Sequence, residues 1–283
     1  MKKTILYFAV FIAVSLAVTY GTDFVMGLIE GDSHTTSTMQ LLITSGVTSV
    51  TTILLFTAMR WCPVSRDYVR SRPWGTLFWT ILLAVGVILP LAWLEELIPE
   101  AMRQDLSGDI IARMLGTTEG YFVVCMLAPL AEEVVFRGAI ITSVMEWGRS
   151  IRRKHTESGG DTATSALTDS RIEWIAIVTG ALFFALAHLN PAQAPHAIIM
   201  GILLGWLYVR TGSLLPCFIV HWINNSLAYV LIKMFPLTPM DSRLIDYFGG
   251  NSTAMIQALC SSLLIALPAL YQLHLSFSRQ KRR

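Results

Sequence analysis

The chain has 283 residues, of which 54% are hydrophobic and only 14% are charged. Soluble domains usually carry roughly 25% charged residues, so this composition excludes an ordinary soluble core and indicates that the lipid bilayer is the solvent. A formal net charge of +2 gives no reason to expect a nucleic-acid partner. We therefore expect an integral membrane protein whose constant partner is the lipid bilayer.

Apolar stretches of about 20 residues, long enough to cross a bilayer, recur along the chain. Eight membrane-spanning helices are predicted, near residues 4–29, 40–59, 75–94, 118–146, 173–189, 194–210, 214–235 and 254–275. The first follows a short basic start, as a signal peptide would, but its apolar stretch exceeds a typical signal core, and we expect it to be retained. The predicted fold class is all-α, a polytopic membrane protein of about eight helices.

Most of the Lys and Arg residues lie in alternate loops. They cluster at both termini, around 60–72 and around 149–171, whereas the intervening loops carry few. The positive-inside rule therefore predicts that both termini and the 149–172 segment are cytoplasmic, which requires an even number of spans. The 149–172 segment is rich in Ser, Thr and Gly and is typical of a flexible linker. We expect a single membrane domain over 1–283.

The fourth predicted span is unusual because it contains Glu132, Glu133 and Arg137. Each such residue at the bilayer centre costs about 2.5–3.5 kcal/mol. Glu133 and Arg137 are four residues apart and share a helix face, whereas Glu132 lies about 100° round the helix from Glu133 and is expected to point elsewhere. All three could form one ion-pair network that only joins helices. Such a network needs one acid and one base, which leaves Glu132 as a candidate general base or metal ligand.

Two further spans carry polar side chains at helical spacing. His188 follows Phe184 by four residues in the fifth span, and Asn225 follows His221 by four residues in the seventh. A single histidine in an apolar helix is more often a packing residue. Several buried polar groups in one membrane protein favour convergence, because together they satisfy each other and separately each costs free energy. The sequence therefore predicts a buried polar cavity between these helices.

The four cysteines stand singly at positions 62, 125, 217 and 260. No CxxC pair occurs, so neither a thiolate zinc cluster nor a disulfide framework is indicated. We expect them to be small buried hydrophobic residues.

The three patterns EExxxR (Glu132–Arg137), FxxxH (Phe184–His188) and HxxxN (His221–Asn225) occur in this order on separate helices. They resemble the three motifs of the CPBP intramembrane proteases, a family that includes type II CAAX prenyl endopeptidases and bacterial Abi proteins. The likeness covers a motif-bearing core of roughly 118–230. It implies an intramembrane endopeptidase of the metallo- or glutamate type with a polar active-site cavity.

The resemblance also implies roles for the motif residues. Glu132 would activate water with help from His188, and His221 and Asn225 would hold the oxyanion or a metal. If a metal takes part, its ligands would be Glu132, His188 and His221, with zinc the best candidate. The helix-borne HExxH signature of zinc peptidases is absent, and the same residues could work without a metal, so both alternatives stay open.

The other motif positions, Glu133, Arg137 and Phe184, would be structural or orient the substrate. The resemblance implies a peptide or protein substrate that enters from the membrane or the cytoplasmic side, in prenyl-protein-like processing, bacteriocin maturation or self-immunity. It also favours the plasma membrane of a bacterium or archaeon. The alternatives are a non-catalytic scaffold or immunity protein of the same fold and a transporter that uses the buried charges as a relay. No matching broken segments occur in the two halves, which argues against the transporter.

Overall fold

Regular structure is entirely helical in the residues that the computed structural model describes, which are 1–30, 36–63, 67–95, 108–158, 167–235 and 242–280. Helices dominate because a backbone in lipid must satisfy its hydrogen bonds within its own segment. The helices are α1 (Lys2–Glu30), α2 (Thr38–Ala58), α3 (Asp67–Arg70), α4 (Trp74–Glu95), α5 (Gly108–Leu115), α6 (Thr118–Gly120), α7 (Ala128–Glu133), α8 (Thr142–Glu157), α9 (Asp169–Ala187), α10 (Ala194–Thr211), α11 (Leu214–Met234) and α12 (Ser252–Gln280), with a 3₁₀ helix at Leu244–Phe248.

Seven of the described helices are long and apolar enough to cross a membrane: α1, α2, α4, α9, α10, α11 and α12. Their outer faces carry exposed apolar side chains such as Phe24 and Leu264, the latter 75% exposed, as expected of surfaces that face lipid tails. The prediction of an all-α, polytopic membrane fold is confirmed. The remaining predicted span, the fourth in the chain and the one with the buried charges, is also helical but is built differently.

This fourth span, which we call the motif helix, alternates α and π turns from Thr118 to Glu157. Two π segments, π1 (Tyr121–Leu127) and π2 (Val134–Ile141), flank the short α7 that carries both glutamates. Pro129 lies in the first turn of α7 and has no N–H to donate, so it favours a change of hydrogen-bond register at this point. π turns are rare and occur frequently at functional sites.

The motif helix lies at the centre of the protein. All eight residues of π2 are buried, and they pack against α1, α2 and α9. The ring of Phe136 contacts the rings of Phe11 in α1 and Phe184 in α9, with centroid distances of 5.6 and 5.3 Å. The buried charges are therefore surrounded by protein rather than by lipid.

Small residues allow the helices around this centre to approach closely. A Cβ at Gly86 of α4 would lie 2.5 Å from the backbone nitrogen of Ala266 in α12, and Ser262 of α12 donates to the carbonyl of Gly86 at 2.9 Å. A Cβ at Gly201 of α10 would lie 2.8 Å from the Cβ of Ala181 in α9. Contacts of this kind stabilise membrane helix pairs through van der Waals packing and hydrogen bonds.

The predicted 149–172 linker is shorter in the structure. The motif helix continues to Glu157 and α9 begins at Asp169, so both ends of the predicted linker are helical. Arg152 Nη1 and Asp169 Oδ1 lie 2.7 Å apart, which joins the two ends, and 159–166 lie outside the described residues. Hydropathy locates only the apolar part of a helix, and a polar extension in water carries no such signal.

The cysteines follow the prediction at three positions. Cys62, Cys125 and Cys217 are buried and free, and burial raises the pKa of the Cys62 thiol to about 12. Cys260 is exposed, contrary to the prediction. It lies on α12, whose outer face is apolar and exposed, so an apolar sequence context did not distinguish burial in protein from contact with lipid.

Gly138 provides a test of the packing around the motif helix. A Cβ at this position would overlap the Sγ atom of Cys62, so we expect Gly138→Ala to lower the free energy of unfolding by about 1–3 kcal/mol. Adding Cys62→Ala should restore part of the loss. Thermal unfolding of the purified protein in detergent measures both changes. Gly21→Ala is the control, because nothing lies within 4 Å of a Cβ there; an equal loss at Gly21 would contradict this account.

Candidate active site

A buried ion pair joins the first motif to the second. Arg137 Nε lies 3.1 Å from Glu133 Oε2, and the two side chains are 1% and 0% exposed. The guanidinium carbon lies 4.5 Å from the centre of the Phe184 ring, so a cation–π contact covers the charge. The predicted shared face of Glu133 and Arg137 is present. Because both charges are desolvated, each depends on the other.

His221 connects this pair to the other glutamate. Its Nδ1 lies 2.8 Å from Glu133 Oε1, and its Nε2 lies 3.6 Å from Glu132 Oε2. An ionised carboxylate only accepts hydrogen bonds, so Nδ1 carries the proton and Nε2 faces Glu132. The expectation that Glu132 points elsewhere needs correction in one respect. Glu132 is not paired with Arg137 among the described residues, but it reaches the opposite edge of the imidazole that Glu133 holds.

The two neighbouring glutamates differ in their access to water. The Glu133 side chain is fully buried, whereas the Glu132 side chain is 26% exposed. The distance of 3.6 Å from Glu132 to His221 exceeds the usual hydrogen-bond range of about 2.7–3.2 Å, so the Glu132 carboxylate is close to the imidazole but not engaged by it. Of the two carboxylates, Glu132 is the one that a water molecule can reach.

His188 approaches the site through Phe184. It caps the C-terminus of α9, and its Nδ1 lies 2.8 Å from the carbonyl oxygen of Phe184. A carbonyl only accepts, so Nδ1 is the protonated nitrogen and Nε2 has a free lone pair in the neutral ring. The Phe184 ring contacts the rings of both His188 and His221 edge-on, at 4.8 and 5.6 Å. No direct hydrogen bond joins His188 to Glu132 among the described residues.

The backbone of π1 fixes the carboxamide of Asn225. Asn225 Nδ2 donates to the Val124 carbonyl at 3.1 Å, and the Cys125 thiol donates to the Asn225 backbone carbonyl at 3.3 Å. Asn224 Nδ2 lies 3.3 Å from Asn225 Oδ1 and adds a further contact. One hydrogen of the Asn225 amide group is therefore used by the backbone, and the second can donate to a substrate.

Next to Asn225 lies a polar network that the motifs do not include. Trp222 Nε1 donates to the Tyr121 hydroxyl at 3.0 Å, and the same hydroxyl lies 3.2 Å from the Ser226 hydroxyl. The Tyr121 ring also packs against Tyr229 at 4.8 Å. In the sequence, the only indication of this network was that Trp222 and Ser226 are four residues apart. This spacing is common in apolar helices and does not by itself predict a network. This network ties π1 to α11 beside the site.

Residues 116–227 match the family model described as type II CAAX prenyl endopeptidase, Rce1-like. This central segment is therefore similar to the CPBP family. The match begins before α6 and ends after Asn225, so it includes all three motifs and confirms the resemblance found in the sequence. No curated protein and no solved structure matches the chain. The chain is a multi-pass membrane protein whose central segment is similar to a family of CAAX proteases.

The CPBP motif residues do not form an obvious metal cage. In the described part of the chain, no group of three or more His, Cys, Asp or Glu side chains is placed to hold a metal ion. Both nitrogens of His221 face glutamates, and His188 is connected to His221 through the Phe184 ring. The set of Glu132, His188 and His221 therefore does not fit a three-ligand zinc site in this arrangement. The reaction proposed below uses side chains and water.

We expect the buried Glu133–Arg137 pair to contribute more to stability than an exposed ion pair does. Glu133→Gln leaves the Arg137 charge buried without a counter-charge, and we expect a loss of about 3–5 kcal/mol in the free energy of unfolding. Adding Arg137→Met removes the stranded charge and should reduce that loss. Chemical denaturation in detergent measures both.

The matched control is Glu157→Gln, which breaks the exposed Arg153–Glu157 pair at the same four-residue spacing. Exposed pairs contribute about 0–1 kcal/mol, so little change is expected there. Equal losses for the buried and the exposed pair would show that Glu133 and Arg137 do not depend on each other.

Proposed function

We propose that this protein is an intramembrane endopeptidase in which Glu132 activates the hydrolytic water. The observation that carries the proposal is the arrangement around His221, where one imidazole lies between the buried Glu133 and the accessible Glu132. A general base must reach water and lie within reach of the groups that share its proton. Glu132 meets both conditions, and Glu133 does not, because it is fully buried and paired.

The proposed reaction follows from the hydrogen-bonding capacity of each group. Glu132 takes a proton from water, and the resulting hydroxide attacks the carbonyl carbon of the scissile peptide. The free Nε2 of His188 accepts a hydrogen bond from the same water and orients it. Protonated Glu132 then gives the proton to the leaving amine nitrogen. Atoms and charges balance without a further reactant.

The oxyanion that forms during attack needs donors. The second amide hydrogen of Asn225 is available for this role, because the first is bound to Val124. His221 becomes a second donor while its Nε2 holds the proton that Glu132 has taken from water. Glu133 holds the other side of the ring at 2.8 Å, as the carboxylate of a catalytic triad orients its histidine, so Glu133 and Arg137 are positioning residues.

We also propose the orientation of the site. The last turns of α8 carry Arg152, Arg153 and Lys154, which favours the cytoplasm for this end of the motif helix. With both termini on the same side, a peptide or protein substrate would reach Glu132 from the bilayer or from the cytoplasm. The family suggests a prenylated or otherwise membrane-anchored C-terminal peptide as the first substrate to test.

The test of the base is Glu132→Gln, which keeps the size of the side chain and removes its basicity. Cleavage of a farnesylated CaaX peptide, and of a membrane-peptide library, is followed in liposomes by mass spectrometry. We expect the rate to fall by about 10²–10⁴-fold, the usual contribution of a general base. Stability should change little, because Glu132 is partly exposed.

The matched control is Glu119→Gln, since Glu119 is an exposed glutamate at the start of the same motif helix. It should leave the rate unchanged. Full proteolysis by Glu132→Gln would refute the proposed base. Absence of cleavage by the unmodified protein on every substrate would favour the non-catalytic scaffold or immunity protein.

Substitution of Asn225 tests independently whether its amide group stabilises the oxyanion. Asn225→Leu should lower kcat by roughly 10²–10³-fold with a much smaller change in KM, because the donor acts mainly on the transition state. Asn224→Leu is the comparison and should cause a smaller loss, since the Asn224 amide donates to Asn225 and does not face the proposed oxyanion directly. Steady-state kinetics on the best cleaved peptide separates the two. A rise in KM with unchanged kcat would assign Asn225 to substrate binding instead.

A further inference from the structure

A cavity of about 390 Å³ lies between the start of α4 and the end of α12, away from the motif residues. Arg72 and Pro73, which precede α4, line one side, and Arg279, in the last turn of α12, lines the other. Both helices are long and apolar enough to span the membrane, so the cavity lies where two spans meet the membrane surface. It also lies outside the 116–227 segment that carries the protease motifs.

The charged side chains that line this cavity are positive, and no carboxylate among the described residues lines it. Neither Arg72 nor Arg279 forms an ion pair with a carboxylate among the described residues. Two guanidinium groups without a counter-ion are a suitable site for an anion, and arginine binds phosphate through two parallel hydrogen bonds.

Neutral polar groups accompany the arginines. Ser276 and Gln272 line the cavity from α12, and Gly75 lines it in the first turn of α4. The N-terminus of a long helix carries a partial positive charge and N–H groups without helical partners, which adds to the attraction of the arginines for an anion. The lining is therefore suited to a phosphate group with neighbouring hydroxyls.

The apolar surroundings indicate which phosphate compound would bind. Trp79 and Leu275 line the same cavity, while Trp74 and Phe78 are 64% and 55% exposed on α4 beside it. Tryptophan is enriched at the level of lipid headgroups, and apolar side chains further along the helix contact acyl chains. A soluble phosphate would gain nothing from this apolar surface, whereas a phospholipid would use both parts.

We propose that this cavity binds the phosphate headgroup of an anionic glycerophospholipid from the leaflet on the side of the chain termini. Basic pockets between spanning helices on the cytoplasmic side are suited to such lipids. The headgroup lies between Arg72 and Arg279, and its acyl chains follow the exposed apolar faces of α4 and α12. Binding would join the ends of the two helices that pack against each other by Gly86 and Ser262.

The experiment compares lipid binding to the full-length protein by native mass spectrometry, with phosphatidylglycerol as the anionic probe and phosphatidylcholine as the neutral one. We expect phosphatidylglycerol to bind at least about tenfold more tightly. The double variant Arg72→Gln/Arg279→Gln should remove that preference. The control is Arg60→Gln/Arg149→Gln, which removes the same charge from exposed arginines that do not line the cavity and should keep the preference.

A second variant covers the case in which the double arginine variant does not fold. Ser276→Glu places a negative charge in the cavity and should also abolish the preference for phosphatidylglycerol. A parallel measurement follows the shift in melting temperature on adding each lipid, because a ligand that binds only the folded state stabilises it. The unmodified protein should shift with phosphatidylglycerol, and the cavity variants should not.

Three results would overturn the proposal. The first is that the cavity variants retain the preference for phosphatidylglycerol. The second is that the control variant loses this preference equally. The third is that soluble glycerol 3-phosphate displaces the lipid at a similar concentration, which would assign the site to a free phosphate. The inference does not depend on the proposed protease function. Glu132→Gln should bind the lipid like the unmodified protein, so failure of one proposal leaves the other standing.

Discussion

The site depends on one buried carboxylate, that of Glu133. One of its oxygens lies 3.1 Å from Arg137 Nε in an ion pair, and the other accepts a hydrogen bond from His221 at 2.8 Å. A carboxylate in a bilayer requires such partners, since the cost of desolvation is otherwise too high. Because its two partners belong to different helices, the need to satisfy this charge also fixes α11 against the motif helix. The accessible Glu132 is held beside His221 as a result.

The π turns of the motif helix help to place both glutamates beside His221. A continuous α-helix separates adjacent side chains by 100°, and the Glu132 and Glu133 side chains nevertheless reach two edges of the same imidazole. The short α7 between two π segments changes the local register at this place. π1 also supplies the Val124 carbonyl that binds Asn225, so the same irregularity positions groups from the first and third motifs.

The periphery of the protein has a different character. The α4–α12 pair packs through small residues and a hydroxyl-to-carbonyl hydrogen bond, and none of the side chains described at that contact is a buried charge. Its charged groups lie at the ends of the helices, where a membrane surface supplies counter-ions. The protein thus separates a charge-dependent centre from an outer helix pair whose contacts suit lipid.

The sequence by itself determined the all-α membrane fold, because apolar length and loop charge follow directly from the thickness and polarity of a bilayer. It also predicted Glu132, Glu133, Arg137, His188, His221 and Asn225 as candidate site residues, because a polar residue in a membrane span costs free energy unless it has partners. The tertiary structure alone decided which groups meet. Three features depend on contacts between helices that are far apart in sequence. His221 lies between both glutamates, Phe184 connects the two histidines, and Tyr121 joins the site. Spacing within one helix defines a face, but only packing defines what that face contacts.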